Sequence, residues 1–374
     1  MRRVWIATAA LSLSLAMAAP SLAARAEMSQ AANKYFARWS VLWVTGAAGE
    51  HNDILVTESA DGIRVTDSTP VRTGGFCEAQ ADGSALCRAA PDAPLTTVRI
   101  DAGDLDDSAR AELETASSAY LWGGPGDDVL TMVAASHRAP SAQFNGGPGD
   151  DQMIGGIETD HFIEGSESNG SDLMVGGGEP KISLDFFNRG DEVSYARRVN
   201  PVHADLEGDR DDGERSERDR IGSDVETIVG GRGADVLGGN ATANFLDGAH
   251  GADLLTAGDG DDLVRGGPNA DRSADRLRGG RGADYLYGGG GGDSLYAGPG
   301  PDEVRGGPGR DELWPEAGED KIFGGPGNDM LWTLDRATEW IVCGGGADRV
   351  LPDRLDVLAD DCERDLSRPR RVRR

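Results

Sequence analysis

From Gly230 onward, one large aliphatic residue returns every nine positions: Leu237, Leu246, Leu255, Val264, Leu286, Leu295, Val304, Leu313, Ile322, Leu331 and Val350. A spacing of nine belongs to neither the helical period nor the alternation of a long strand. It marks an internal repeat of nonapeptide units. Units begin at 230, 239, 248, 257 and 266, and a four-residue insertion in the unit at 266 moves the register to 279. They continue at 288, 297, 306, 315 and 324, then as a ten-residue unit at Thr333 and a last one at Cys343. Single copies stand upstream at 123–130 and 146–154. Earlier, short β-branched runs (Val41 to Val44, Ile54 to Thr57, Ile63 to Thr66, Thr97 to Ile100) predict further strands, and Asp61-Gly62 predicts a hairpin turn.

The position two before each aliphatic is acidic almost throughout: Asp235, Asp253, Asp262, Asp271, Asp284, Asp293, Asp302, Asp311, Asp320, Asp329 and Asp348, with Asn244 once. In the interrupted unit, Asp275 and Leu277 can take the two roles in place of Asp271. The upstream copies place Asp128 and Asp151 there. The unit reads G-G-x-G-x-D-x-U-x, with U an aliphatic residue. In this pattern the chain resembles the hemolysin-type, or repeats-in-toxin, calcium-binding proteins secreted by bacteria, densely over 230–351 and loosely over 121–178. The resemblance implies an all-β fold, a parallel β-roll or β-solenoid in which each nonapeptide is half a coil. It implies that a loop stacks on the loop two units later, with calcium between them.

On that reading one edge stacks Asp235, Asp253, Asp271 or Asp275, Asp293, Asp311, Asp329 and Asp348. The other stacks Asn244, Asp262, Asp284, Asp302 and Asp320, and several Ca2+ ions, roughly six to nine, lie between neighbours. Composition demands the same cation. The chain has 374 residues, 55 of them glycine, and a formal net charge of −28. Such a chain is no phosphate-gripping nucleic-acid binder. Stacked carboxylates without metal repel, so folding of the repeats is expected to be coupled to calcium.

Residues 1–23 read as a signal peptide: Arg2 and Arg3, an apolar run to Ala19, and small residues at Ser21-Leu22-Ala23. After its cleavage nothing is left that is long and apolar enough to span a membrane. The expected location is secreted, extracellular or cell-surface. Four cysteines in an exported chain favour local pairs, Cys77–Cys87 and Cys343–Cys362, among three possible pairings. The expected organisation is a β-rich N-terminal cap at 24–120, degenerate and interrupted repeats at 121–229, the calcium roll at 230–351, and a C-terminal cap with a basic tail at 352–374. Two strands are expected near Asp191 to Tyr195 and Pro201 to Leu206, and the charged stretch from Glu207 to Arg220 as a solvated excursion. The five histidines (His51, His137, His161, His203, His250) form no zinc-protease motif, and no nucleophile elbow is present. The chain therefore reads as a non-enzyme, a structural or surface-interaction protein with a cell-envelope polymer or surface glycan as possible partner. Two alternatives stay open: a secreted hydrolase with an unrecognised site in 27–229, and a calcium-dependent adhesin.

Overall fold

A computed structural model describes residues 24–31, 39–89, 93–134, 140–166, 169–177, 190–209, 211–268 and 272–362. The signal-peptide reading, His137, Asp271 and the arginine-rich tail lie outside these residues. Every described regular element is a β-strand. Successive strands alternate between two faces of a parallel solenoid of about 11 turns.

One face is a single 16-stranded sheet that reaches from the N-terminal strands to Val357–Leu358. The opposite face is divided into two nine-stranded sheets. The first ends at Arg220–Ile221, and the second carries Val202–Asp205 and runs on to Arg349–Pro352.

Strand register explains the nine-residue period. Leu246, Val264, Leu286, Val304, Ile322 and Ile341 are successive partners on the long sheet. Leu237, Leu255, Leu277, Leu295, Leu313, Leu331 and Val350 are successive partners on the other face. All of these are buried. They form the two facing columns of the core, so a polar residue at any of them would interrupt a column. In the interrupted unit Leu277 takes the inward place, directly between Leu255 and Leu295.

Parallel coils begin well before the dense repeats. Trp39–Thr45 pairs in parallel with Leu95–Asp101, and that strand with Ser118–Trp122. At the N-terminal end the pairing turns antiparallel: Arg25–Ala31 lies against Trp39–Thr45, and Asp53–Ser59 forms the expected hairpin with Gly62–Thr66, its turn at Ala60-Asp61, one residue before the predicted Asp61-Gly62. Cys77–Cys87 bridges the two strands of a further antiparallel pair, and Cys343–Cys362 ties the last coils together.

Strands also form at Glu192–Ser194 and Val202–Asp205, where the sequence suggested them. The stretch from Glu207 to Arg220 departs from expectation, because much of it is interior. Asp212, Glu217 and Asp219 are buried, and Gly213–Glu214 pairs antiparallel with Val202–Asp205. The cause is Arg198. Its side chain is fully buried where the divided face changes sheets, 3.0 Å from Glu164 and 2.9 Å from Glu217, with Glu214 at 3.5 Å. A guanidinium removed from water needs carboxylates around it, and the excursion folds inward to supply them.

Candidate metal centre

Each loop ends on a carboxylate that the backbone of the coil below holds in place. The amide of Asp284 donates to Asp302 Oδ1 at 2.8 Å, and that of Asp302 to Asp320 Oδ1 at 2.8 Å. On the other edge Asp235, Asp253, Asp275, Asp293 and Asp311 donate in the same way to Asp253, Asp275, Asp293, Asp311 and Asp329, and Asp329 donates to Asp348. Asn244 donates to Asp262, and Asp262 to Asp284. Asp275 therefore occupies the ladder in the interrupted unit. Upstream, Asp107, Asp128 and Asp151 donate to Asp128, Asp151 and Asp172.

The ladder uses one oxygen of each carboxylate, and at many of them the other is left over. Oδ2 of Asp128, Asp151, Asp262, Asp284, Asp302, Asp311, Asp320 and Asp329 is buried and has no hydrogen-bond partner. A buried carboxylate oxygen with nothing to accept from is costly unless a cation meets it.

The first glycine of each loop keeps the space beside that oxygen open. A Cβ on Gly306 would stand 2.5 Å from Asp311 Oδ2 and 2.6 Å from the carbonyl oxygen of Gly324 one coil on. Farther along the loop, Gly300 has φ 154°, and a Cβ there would overlap the carbonyl oxygen of Gly282. Glycine is required for the backbone angle and for the close stacking of loops. The result is a row of cradles, each lined by a carboxylate and by main-chain carbonyls. That donor set is hard, oxygen-only and irregular, which suits calcium better than zinc or magnesium.

Burial shapes the titration of these groups in the absence of metal. Desolvation, opposed by the ladder hydrogen bonds, pushes Asp262 and Asp311 up to about 8, Asp302 to about 7, and Asp284, Asp320 and Asp329 to about 6. Asp128 and Asp151 are raised to about 7 by the same cause. The site opposes carrying its full negative charge alone.

The ladder also runs on beyond the dense repeats. Asp107, Asp172 and Asp219 extend one edge, the last accepting from the Asp172 amide at 3.0 Å. Asp160, Asp191 and Glu226 extend the other. Glu339 and Asp356 continue that edge at its C-terminal end, since Trp340 bonds back to Asp320 and Val357 to Glu339 through the main chain. Their shared sequence signal is an acid two residues before a buried apolar side chain, as in Asp107-Ser108-Ala109, Asp160-His161-Phe162 and Glu339-Trp340-Ile341. The triplet survives where the leading glycines are lost, as before Asp219 and Asp356, while Asp160 keeps Gly155-Gly156.

This geometry defines a metal-binding parallel β-roll. A family model for the RTX calcium-binding nonapeptide repeat (4 copies) matches residues 143–162, 221–251, 238–273, 270–304 and 296–331. The chain thus carries RTX calcium-binding repeats, and the repeats of that family bind calcium. No curated protein matches the chain.

Proposed function

We propose that the protein is an exported calcium-binding scaffold whose repeat region takes its fold when metal enters the cradles. The observation that carries this reading is the row of buried, partnerless Oδ2 atoms beside glycine-kept spaces. The ligands we assign are Asp128 and Asp151 upstream, then Asp235, Asp253, Asp275, Asp293, Asp311, Asp329 and Asp348 on one edge, with Asp262, Asp284, Asp302 and Asp320 on the other. Asp271, the other candidate of the interrupted unit, lies outside the described residues. Roughly six to nine ions fill the dense array. We further propose that the antiparallel strands around Cys77–Cys87 cap the N-terminal end, and that the role is structural or surface-directed, with no catalytic step. Two disulfides and a leader-like start support an oxidising location outside the cytoplasm.

Far-UV circular dichroism of the mature protein during a calcium titration, with magnesium as control, tests the coupling. The expected result is a calcium-specific rise of β signal that chelator reverses. A β spectrum already complete without calcium would overturn it.

A further inference from the structure

Away from the carboxylate ladder, one group of side chains brings an imidazole and two carboxylates to a single point. It is built on Val202–Asp205, near the start of the second sheet of the divided face. Strand alternation buries Val202 and Ala204 and sends His203 and Asp205 outward on the same side. The excursion after Asp205 then returns beside them. Gly213 pairs with His203, and Asp212 accepts the amides of Asp205 at 2.6 Å and Ile221 at 3.0 Å. This places Asp211 next to the imidazole, with its main-chain carbonyl oxygen 3.3 Å from His203 Nδ1. His203, Asp205 and Asp211 each offer a ligand atom, and these atoms lie within 4.8 Å of one another. Glycine keeps room at both strand positions: Gly213 is opposite His203 and Gly238 opposite Asp205, where a Cβ would stand 2.8 Å from Asp205 Cβ. Among the described residues no ion pair takes up these three side chains, and Arg220 turns instead to the Gly208 carbonyl at 2.7 Å.

We infer that His203, Asp205 and Asp211 form a site for a divalent cation of zinc type, separate from the calcium cradles. The donor set makes the distinction. The cradles offer oxygen alone, which suits calcium, whereas an imidazole nitrogen beside carboxylates suits zinc. A tetrahedral zinc ion spaces its ligand atoms about 3.4 Å apart, within reach of small rotations of the two exposed side chains, His203 and Asp211. Three protein ligands at the surface leave the fourth position to water. The position in the fold gives such an ion a task. The same excursion carries Glu217 inward to Arg198. A zinc ion would fasten its outer side to Val202–Asp205, as Arg198 fastens its inner side. The site goes beyond the calcium reading and does not rest on it.

The test is zinc titration of the mature chain at saturating calcium, followed by calorimetry, for wild type, His203→Ala, Asp211→Asn and the control His51→Ala. His203 and Asp211 are exposed, so neither substitution removes a core contact. Wild type and His51→Ala are expected to bind one zinc ion per chain, with no calcium released on dialysis. His203→Ala and Asp211→Asn are expected to bind it more weakly by about tenfold or more. Equal zinc affinity in all four chains, or zinc uptake matched by calcium release, would overturn the site, the metal then lying at another histidine or in the cradles. A chain that bound zinc as expected but took up no calcium would overturn the calcium reading and leave this site standing.

Discussion

The coils before Gly230 and those after it share one backbone plan and are held by different forces. Upstream, Leu95–Asp101 buries Leu95, Val98 and Ile100, and Ser108–Leu113 buries Ala109, Ala111 and Leu113. Phe144 stacks on Phe162 with ring centroids 5.1 Å apart. Downstream, Tyr285–Tyr287 buries only Leu286, and Glu303–Arg305 only Val304. One aliphatic per strand removes little apolar area from water, while ordering the glycine loops costs the most backbone entropy of any residue type. The upstream coils have an apolar interior of ordinary kind. The downstream coils have replaced much of it with a carboxylate ladder that is unfavourable until a cation arrives.

The largest expected effect of that difference is seen on removing calcium. With a chelator, residues after 230 should lose amide protection and become protease-sensitive, while the coils from Trp39 to Val229 stay protected. Hydrogen exchange read by peptide gives the answer directly. Equal loss in both regions would mean that the two halves form one metal-dependent unit, and the contrast drawn above would fail.

Acid should partly replace the metal. The raised carboxyls of the apo fold hold protons up to about pH 6 to 8, whereas unfolded aspartates release theirs near pH 4. Between those limits the folded chain binds more protons than the unfolded one, so apo stability falls as pH rises. Calcium-free protein is therefore expected to gain β signal between pH 8 and pH 5, most strongly in the region after 230. A chelated sample whose spectrum worsened on acidification to pH 5 would contradict the ladder as the source of instability.

At the joint between the regions the protein uses a cation of its own. Arg198 is enclosed by Glu164 and Glu217, each 1% exposed at the side chain. Replacing it with methionine leaves two buried carboxylates without their counter-ion and should cost about 3–5 kcal/mol. Urea unfolding at saturating calcium measures this. A loss within about 1 kcal/mol would mean that the surrounding acids neutralise themselves by protonation, and that the upstream coils do not depend on the ion pair.

Legibility in the sequence follows the same division. The downstream coils were readable because a loop that binds calcium constrains several positions at once: glycines for positive φ and close stacking, aspartate for the ladder, aliphatic for the column. Even the choice of edge for Asp262 or Asp311 follows from the period. Upstream, outside the copies at 123–130 and 146–154, the Asp-x-aliphatic triplet recurs without the full glycine pattern. Asp107, Asp191 and Asp219 therefore look like ordinary loop acids in sequence. Arg198 was also invisible, because its meaning depends on Glu164 and Glu217 arriving from 34 positions before and 19 after. Glu339 and Asp356 were hidden by a change of loop length and the loss of flanking glycine.

The smallest effect separates glycines that the stack requires from those it does not. Gly300 has φ 154°, and a methyl group there would overlap the Gly282 carbonyl one coil before. Gly345 has no heavy atom within 4 Å of the place a Cβ would take. Both lie in the calcium region, so both variants can be compared at saturating calcium. Gly300→Ala must displace a main-chain carbonyl that lines a cradle, and it should cost about 2–3 kcal/mol and weaken calcium binding together. Gly345→Ala should change stability by less than about 1 kcal/mol, in either direction, because the loss of unfolded-state freedom favours alanine. Thermal melts of the pair, with and without excess calcium, decide the matter. If Gly300→Ala lost stability but bound calcium as tightly as wild type, the carbonyls would be spacers between coils, and the carboxylates alone would hold the ions. If both variants behaved like wild type, the loops would be looser than the stacking distances require, and glycine content would owe nothing to the cradles.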